Sequence, residues 1–281
     1  MLNILNYNLK VIYFETWFFL VFGALVGSFL NVCILRIPEK TFFKNLRSVC
    51  PNCQKKIPFW LNIPVFSYLF LRGRAACCKA RLSIQYPLVE VFTMLMFPLV
   101  YWHFPFVLDT KSGQLDPEVF LRFCHFIIFV CLMITVSVID IRLQIIPDVL
   151  SLSMIALSPL WVYLHPELKW QSSLLGVVFG GGVLYVVAWT YYLIRRDYGL
   201  GFGDVKLLAG IGGWLGAEAI LPTLFLGSIL GSFFGVCFII FTKGADMKMK
   251  IPFGPFLALG AVCHMLFGQQ ISDILYFGNF E

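Results

Sequence analysis

The sequence predicts an all-α polytopic membrane protein with about eight transmembrane helices and one cysteine-containing cytoplasmic loop domain. Three observations predict it. First, the chain is 59% hydrophobic and only 13% charged, with a mean hydropathy of +0.85, values that suit a chain solvated by lipid rather than water. Second, apolar runs bounded by charge or turn residues recur at roughly 13–35, 84–105, 119–139, 149–165, 172–194, 206–220, 222–242 and 252–271. The fourth and sixth are short for a bilayer that needs about 20 residues per helix. Third, lysine and arginine are shared unevenly among the connecting segments.

With the N-terminus outside, seventeen basic residues fall on the cytoplasmic side: ten from Arg36 through Arg81, then Arg142, Arg195, Arg196, Lys206, Lys243, Lys248 and Lys250. Four remain outside, namely Lys10, Lys111, Arg122 and Lys169. The positive-inside rule favours this orientation, with both termini outside. The net charge of +6 does not point to nucleic acid, because no charged helix face or RNA-type aromatic motif accompanies it. The first span differs from a secretion signal, which carries its positive charge before the apolar core; here the charge follows, from Arg36 onward. The expected organisation is a first helix over 1–35, a cysteine-containing loop domain over 36–83, and a multi-helix core over 84–281.

The first span carries Gly23 and Gly27, four apart, a spacing that lets helices pack closely in lipid. Asn31 near its cytoplasmic end serves either an interhelical hydrogen bond or a site. The loop holds Cys50-Pro51-Asn52-Cys53 and then Cys77-Cys78. This pattern suggests a structural zinc ribbon or knuckle; the plain alternative is a set of reduced thiols. Adjacent cysteines are poorly placed to chelate one ion together, so one of Cys77 and Cys78 is expected to be idle. Glu90 lies one turn into the second span, either snorkelling to the interface or serving a polar site.

The third span ends at Asp140, and Pro147-Asp148 opens the fourth. Asp148 suits a cap or first-turn position. Asp140 at a helix C-terminus opposes the helix dipole; Arg142 is the nearest compensating charge. Glycines at 176, 180, 181 and 182, and at 227, 231 and 235, read as close-packing seams. Gly201-Phe202-Gly203-Asp204-Val205-Lys206 sets a carboxylate where a helix begins. Its two glycines give room for another backbone, including that of a substrate. Pro252-Phe253-Gly254-Pro255 reads as irregular chain lining a site near Asp204.

Two aspartates from different helices can share one water. Close approach disfavours double ionisation, so one carboxyl keeps a proton while the other activates the water against a peptide carbonyl. The four histidines are scattered, and no Ser-His-Asp set or His-Glu-x-x-His helix is visible. A carboxylate-dependent proton- or ion-coupled transporter is the competing class. Its ionisable groups are expected near mid-membrane, whereas Asp140, Asp148 and Asp204 map to helix ends.

At these residues the chain resembles the bacterial type IV prepilin peptidases (leader peptidase/N-methyltransferases). The resemblance rests on Gly27-Ser28-Phe29-Leu30-Asn31-Val32, Cys50-Pro51-Asn52-Cys53, Tyr86-Pro87-Leu88-Val89-Glu90, Ile139-Asp140 with Ile146-Pro147-Asp148, Gly201 through Leu208, and Pro252-Phe253-Gly254-Pro255. It implies an inner-membrane aspartyl endopeptidase, with Asp140 and Asp204 as the catalytic pair. It would cut type IV prepilins and pseudopilins after a glycine at the cytoplasmic face. It would then methylate the new N-terminus from S-adenosylmethionine. Gly201, Gly203, Lys206, Asp148, Pro252, Phe253 and Gly254 would support the site, and Glu90 and Asn31 are candidates for methyl transfer. The family's loop has two Cys-x-x-Cys pairs; here Ala75 stands where the second pair would begin, leaving Cys50, Cys53 and Cys78, with Cys77 as a substitute, to hold zinc.

Overall fold

The computed structural model describes residues 2–42, 49–50, 52–53, 55–61, 63–106, 116–165, 168–196, 201–241 and 251–275. Lys44, Arg47, Pro51, Lys111, Lys243, Lys248 and Lys250, used in the sequence reading, lie outside them. The chain divides into two compact units, residues 1–115 and 116–281.

The first unit contains α1 (Leu2–Arg36), the short α2 (Phe66–Phe70) and α3 (Gln85–His103). α1 packs along α3. The reason is local: a Cβ on Gly27 would lie 2.8 Å from Glu90 Cα, and one on Gly23 2.8 Å from the Thr93 carbonyl, so only glycine permits this approach. α3 therefore groups with α1 by contact. Between them, the loop folds two antiparallel turns, closed by bridges between Val49 and Lys56 and between Arg74 and Arg81.

The second unit contains α4 (Pro117–Leu143), α5 (Asp148–Leu164), α6 (Trp170–Arg195), α7 (Phe202–Leu215), α8 (Ile220–Phe241) and α9 (Gly254–Leu275). α4 begins on an Asp116 cap whose side chain accepts from Glu118 N–H, with proline next, a favourable helix start. It ends at Gln144 in the left-handed region. α7 is the hub. It is buried from Asp204 to Trp214 except at Lys206, and α5 and α6 pack on it. Gly176 and Gly212 cross so closely that a Cβ on either would sit 2.1 or 2.2 Å from the other's carbonyl oxygen. Trp214 Nε1 donates to the Met154 carbonyl (2.7 Å), and Ser173 donates to that of Gly213 (2.7 Å). Of the seams read from sequence, Gly227 meets the Phe256 carbonyl, whereas Gly182 faces open space.

Among the described residues, four segments are long and apolar enough to cross a membrane: Phe14–Arg36, Pro117–Leu143, Trp170–Arg195 and Ala217–Phe241. Asp148–Leu164 and Gly254–Gly268 are shorter apolar helices. The sixth expected span shifts: α7 covers Phe202–Leu215 rather than 206–220. It starts earlier because Gly201 adopts extended backbone just ahead of it, and it stops because Gly216 takes φ +89°. Asp204 thus lies within the first helical turn.

A carboxylate pair and a thiol cluster as candidate functional sites

In the second unit, Asp140 and Asp204 are only 5% and 8% exposed. Asp140 occupies the last turn of α4, and Asp204 the first turn of α7. The two carboxyl groups lie near enough for their charges to repel. Their surroundings differ from the sequence expectation in three ways. Arg142 is exposed, and the stabilising partner of Asp140 is the Gly254 N–H, which donates to Oδ2 at 3.0 Å. Gly254 is the first residue of α9, where backbone N–H groups lack helical acceptors and the dipole is positive. A carboxylate at an unfavourable helix C-terminus is thereby set against a favourable N-terminus.

Second, the segment at Pro252-Phe253-Gly254, expected near Asp204, lines the pair's site through Asp140, which it meets directly. Its irregular part is brief: the Phe253 carbonyl already accepts from Phe256 and Leu257 N–H, both at 3.1 Å. A Cβ on Gly254 would lie 2.7 Å from Asp140 Oδ2, so glycine is required for the contact. Third, Gly203 does not make room for a substrate. A Cβ there would lie 2.9 Å from Ile146 Cβ, so the space is filled by the chain's own α4–α5 turn. At Gly201 the nearest of the described neighbours is Asp204 Oδ2, 3.3 Å from a built Cβ, so glycine keeps the backbone close to that carboxylate.

Ile146 is the residue that sequence reasoning missed. It is buried in an otherwise exposed turn and touches the Cβ positions of both Gly203 and Gly254 (2.9 and 3.2 Å). It wedges the starts of α7 and α9 against the end of α4. The second of two isoleucines, set before a proline in a short turn between charged residues, was the available signal.

Lys206 and Asp148 form an ion pair with each other, their side chains 30% and 60% exposed. They tie α5 to α7 at the rim. Asp148 holds the expected first-turn position, behind Pro147 at the cap. Between α8 and the start of α9, Ser228, Gly231, Gly235, Ile251, Pro252 and Phe253 line an apolar groove of about 480 Å³. The histidines are less scattered than the sequence suggested. His125 stacks on Trp161 (4.5 Å between ring centres) and approaches His165 (4.9 Å), because α4 and α5 run antiparallel. This cluster is about 22 Å along α4 from Asp140, so it cannot serve the carboxylates.

In the first unit, Asn31 Nδ2 donates to the Tyr86 carbonyl at 3.0 Å, the interhelical bond that was one expectation. Its Oδ1 is buried and has no hydrogen-bond partner among the described residues. Glu90, 8% exposed, accepts from Val65 N–H at 2.7 Å and from the Ser28 hydroxyl. It is therefore engaged inward rather than snorkelling.

The four loop cysteines converge, with all four Sγ atoms within 4.8 Å of one another. Cys53 and Cys77 are 3.2 Å apart, and Cys50 and Cys78 3.8 Å. Both Cys77 and Cys78 lie within reach of the other two thiols. The two turns repeat each other at an offset of 25 residues. Val49, Cys50, Cys53 and Lys56 correspond to Arg74, Ala75, Cys78 and Arg81. The Cys50 N–H donates to the Lys55 carbonyl (2.9 Å) as the Ala75 N–H does to that of Ala80 (2.8 Å). Ala75 fills the place equivalent to Cys50 and is buried. Cys77, at the place equivalent to Asn52, reaches back to supply the fourth sulfur. The Cys53 backbone N–H draws the Cys50 thiol down to about 6. Hydrogen bonding to Cys53 pushes Cys77 up to about 12. Asn52 Nδ2 lies 3.7 Å from Cys78 Sγ.

The fold and the pair define an α-helical membrane protein with two charge-coupled carboxylates at helix ends. Comparison with known proteins gives the family. A model described as the bacterial peptidase A24 N-terminal domain matches residues 21–104, and one described as the type IV leader peptidase family matches 127–236. Proteins named prepilin leader peptidase/N-methyltransferase are similar to it. That of Pseudomonas aeruginosa is 33% identical, covering 93% of this chain and 94% of the relative. That of Stutzerimonas stutzeri is 34% identical, covering 90% and 91%, and that of Neisseria gonorrhoeae 34%, covering 75% and 78%. No solved structure matches. The chain belongs to the type IV leader peptidase family.

Proposed function

We propose that this chain is a membrane aspartyl endopeptidase that removes the leader peptide of type IV prepilins and pseudopilins after a glycine, then methylates the new N-terminus. The names of its relatives support both activities. The observation that carries the mechanism is the buried, charge-coupled pair of Asp140 and Asp204.

The pair holds one proton between its carboxyls, because two charges this close are disfavoured in a buried site. The ionised carboxyl takes a proton from a water, which attacks the scissile carbonyl. The protonated one donates first to the carbonyl oxygen and then to the leaving amine. The Gly254 N–H holds Asp140 Oδ2 in place, and Ile146 keeps the helix ends together. The glycine at 201 leaves no side chain between an extended leader and Asp204, and the apolar groove beside Phe253 suits apolar substrate residues. Lys206 and Asp148 steady the rim.

For methylation, the donor is S-adenosylmethionine, which supplies an electrophilic methyl group. The unpartnered Asn31 Oδ1 and the buried Glu90 carboxylate fit a cationic or N–H-bearing ligand. Both would hold such groups, and the Glu90 carboxylate would take a proton from the new amine. A zinc ion suits the four thiols in type and spacing. Cys50, Cys53, Cys77 and Cys78 would hold it, and it would pin the two turns together without entering the chemistry. In this reading all eight long helices lie in an inner membrane, with both termini periplasmic and the carboxylates facing the cytoplasm. The transporter alternative gains nothing from carboxylates seated at helix termini.

The test is prepilin cleavage in membranes by Asp140→Asn and Asp204→Asn variants. Both are expected to be inactive; cutting by either at the wild-type rate removes the aspartyl mechanism.

A further inference from the structure

Residues 49–83 contain Lys55, Lys56, Arg72, Arg74, Lys79 and Arg81 and no acidic residue. All six cations are exposed. The same stretch exposes Trp60, Ile63, Phe66, Leu69 and Phe70 by 52–86%. In water, five large apolar side chains on so small a loop would be costly.

The depth of this patch is set by hydrogen bonding. Val65, the residue before α2, donates its N–H to Glu90 at 2.7 Å. It does so at φ +62°, a conformation that β-branched residues avoid, so the segment is held there by its contacts. Glu90 Cα in turn lies opposite Gly27 of α1. Gly27 is nine residues before Arg36, where the apolar segment Phe14–Arg36 ends. Nine helical residues rise about 13 Å. The start of α2 is therefore level with a point well inside the apolar length of α1, and the loop folds down beside the helix rather than standing above it.

We propose that this loop is a membrane-interface anchor: Trp60, Ile63, Phe66, Leu69 and Phe70 seat among the acyl chains and headgroups, and the six cations face anionic lipid headgroups. Three features single out lipid as the occupant. The patch sits at the depth of an apolar segment, aromatic residues favour the interface, and the uniform positive charge complements an anionic leaflet. The inference rests on α1 crossing the membrane and is independent of the roles assigned to the aspartates. Its consequence is that the thiol cluster, carried on the same loop, is held against the bilayer.

The test is the fluorescence of Trp60, taken as the difference between wild-type protein and a Trp60→Phe variant, both in vesicles. The Trp60 component is expected to be blue-shifted and to lose most of its intensity with lipids brominated near the headgroup. The loss should be greater in vesicles containing phosphatidylglycerol than in phosphatidylcholine alone. A Phe66→Ser, Leu69→Ser, Phe70→Ser variant, altered only at exposed positions, should release Trp60 to quenching by aqueous iodide. A red-shifted Trp60 quenched by iodide in the wild type overturns the proposal. So does protection from both quenchers that varies with protein-to-lipid ratio, which marks a contact with a second copy. Unchanged bromine quenching in the triple variant overturns it as well.

Discussion

The carboxylate pair and the thiol cluster are built on opposite kinds of scaffold. The pair stands on three helix termini, and each acid has one feasible position: Asp140 is fixed by a glycine N–H and Asp204 by its place in a first turn. The thiols stand on two short turns, where position 75 carries alanine, position 77 carries cysteine, and the four sulfurs still meet. Rigid helix ends tolerate no such exchange, because a shift of one residue turns a side chain by about 100°. A turn has slack, because a neighbouring side chain can reach the same point. The difference teaches where substitution in this chain should be fatal and where it should be absorbed.

The largest expected effect is on the helix-end site. Asp140→Asn and Asp204→Asn should each lower the cleavage rate by at least ~10²–10⁴-fold, the usual worth of a positioned acid or base. Methylation of a synthetic, already cleaved pilin peptide should persist in both, which mass spectrometry of the product reads directly. Loss of both activities would merge the two functions. Next comes Gly254→Ala. Its Cβ would sit 2.7 Å from Asp140 Oδ2, displacing the carboxylate. A displacement of this kind costs up to about 10²-fold in rate, visible in steady-state kinetics as lower kcat with KM little changed.

The thiol site should behave differently. Cys77→Ala is expected to abolish zinc retained after dialysis, as measured by elemental analysis, while leader cleavage changes little. Wild-type zinc content in Cys77→Ala would return Cys77 to the idle role that spacing alone suggested. The dependence of cleavage on pH should also separate the regions. The reaction needs one proton on the carboxyl pair, so activity falls at low pH when both carboxyls are protonated and at high pH when the shared proton is lost. A profile rising without limit toward high pH would point away from the pair. The smallest effect belongs to Lys206→Met, which removes a half-exposed ion pair worth within about 1 kcal/mol. Thermal unfolding in detergent should barely move.

Much of the candidate site was legible because its chemistry is unusual for its surroundings. Carboxylates at 140 and 204 stand out in apolar sequence whatever the fold. The glycine before Pro255 was visible too, but its contact with Asp140 was not, since spacing along the chain does not say that α9 begins against the end of α4. Ile146 carried almost no signal, because an apolar residue beside apolar helices is ordinary until two glycines are found against it. The histidines looked scattered because antiparallel packing, not sequence distance, joins His125 to His165.

By itself the sequence determined the membrane class, the helical segments and the residues able to do the chemistry, because hydropathy and side-chain ionisation are local properties. Only the tertiary structure decided which groups meet. Gly254 rather than Arg142 steadies Asp140, Ile146 rather than a substrate fills the space at Gly203, and Cys77 stands in for the thiol missing at Ala75. Each is a contact between residues distant in the chain or displaced within a turn, and such contacts follow from the packing of whole helices and turns.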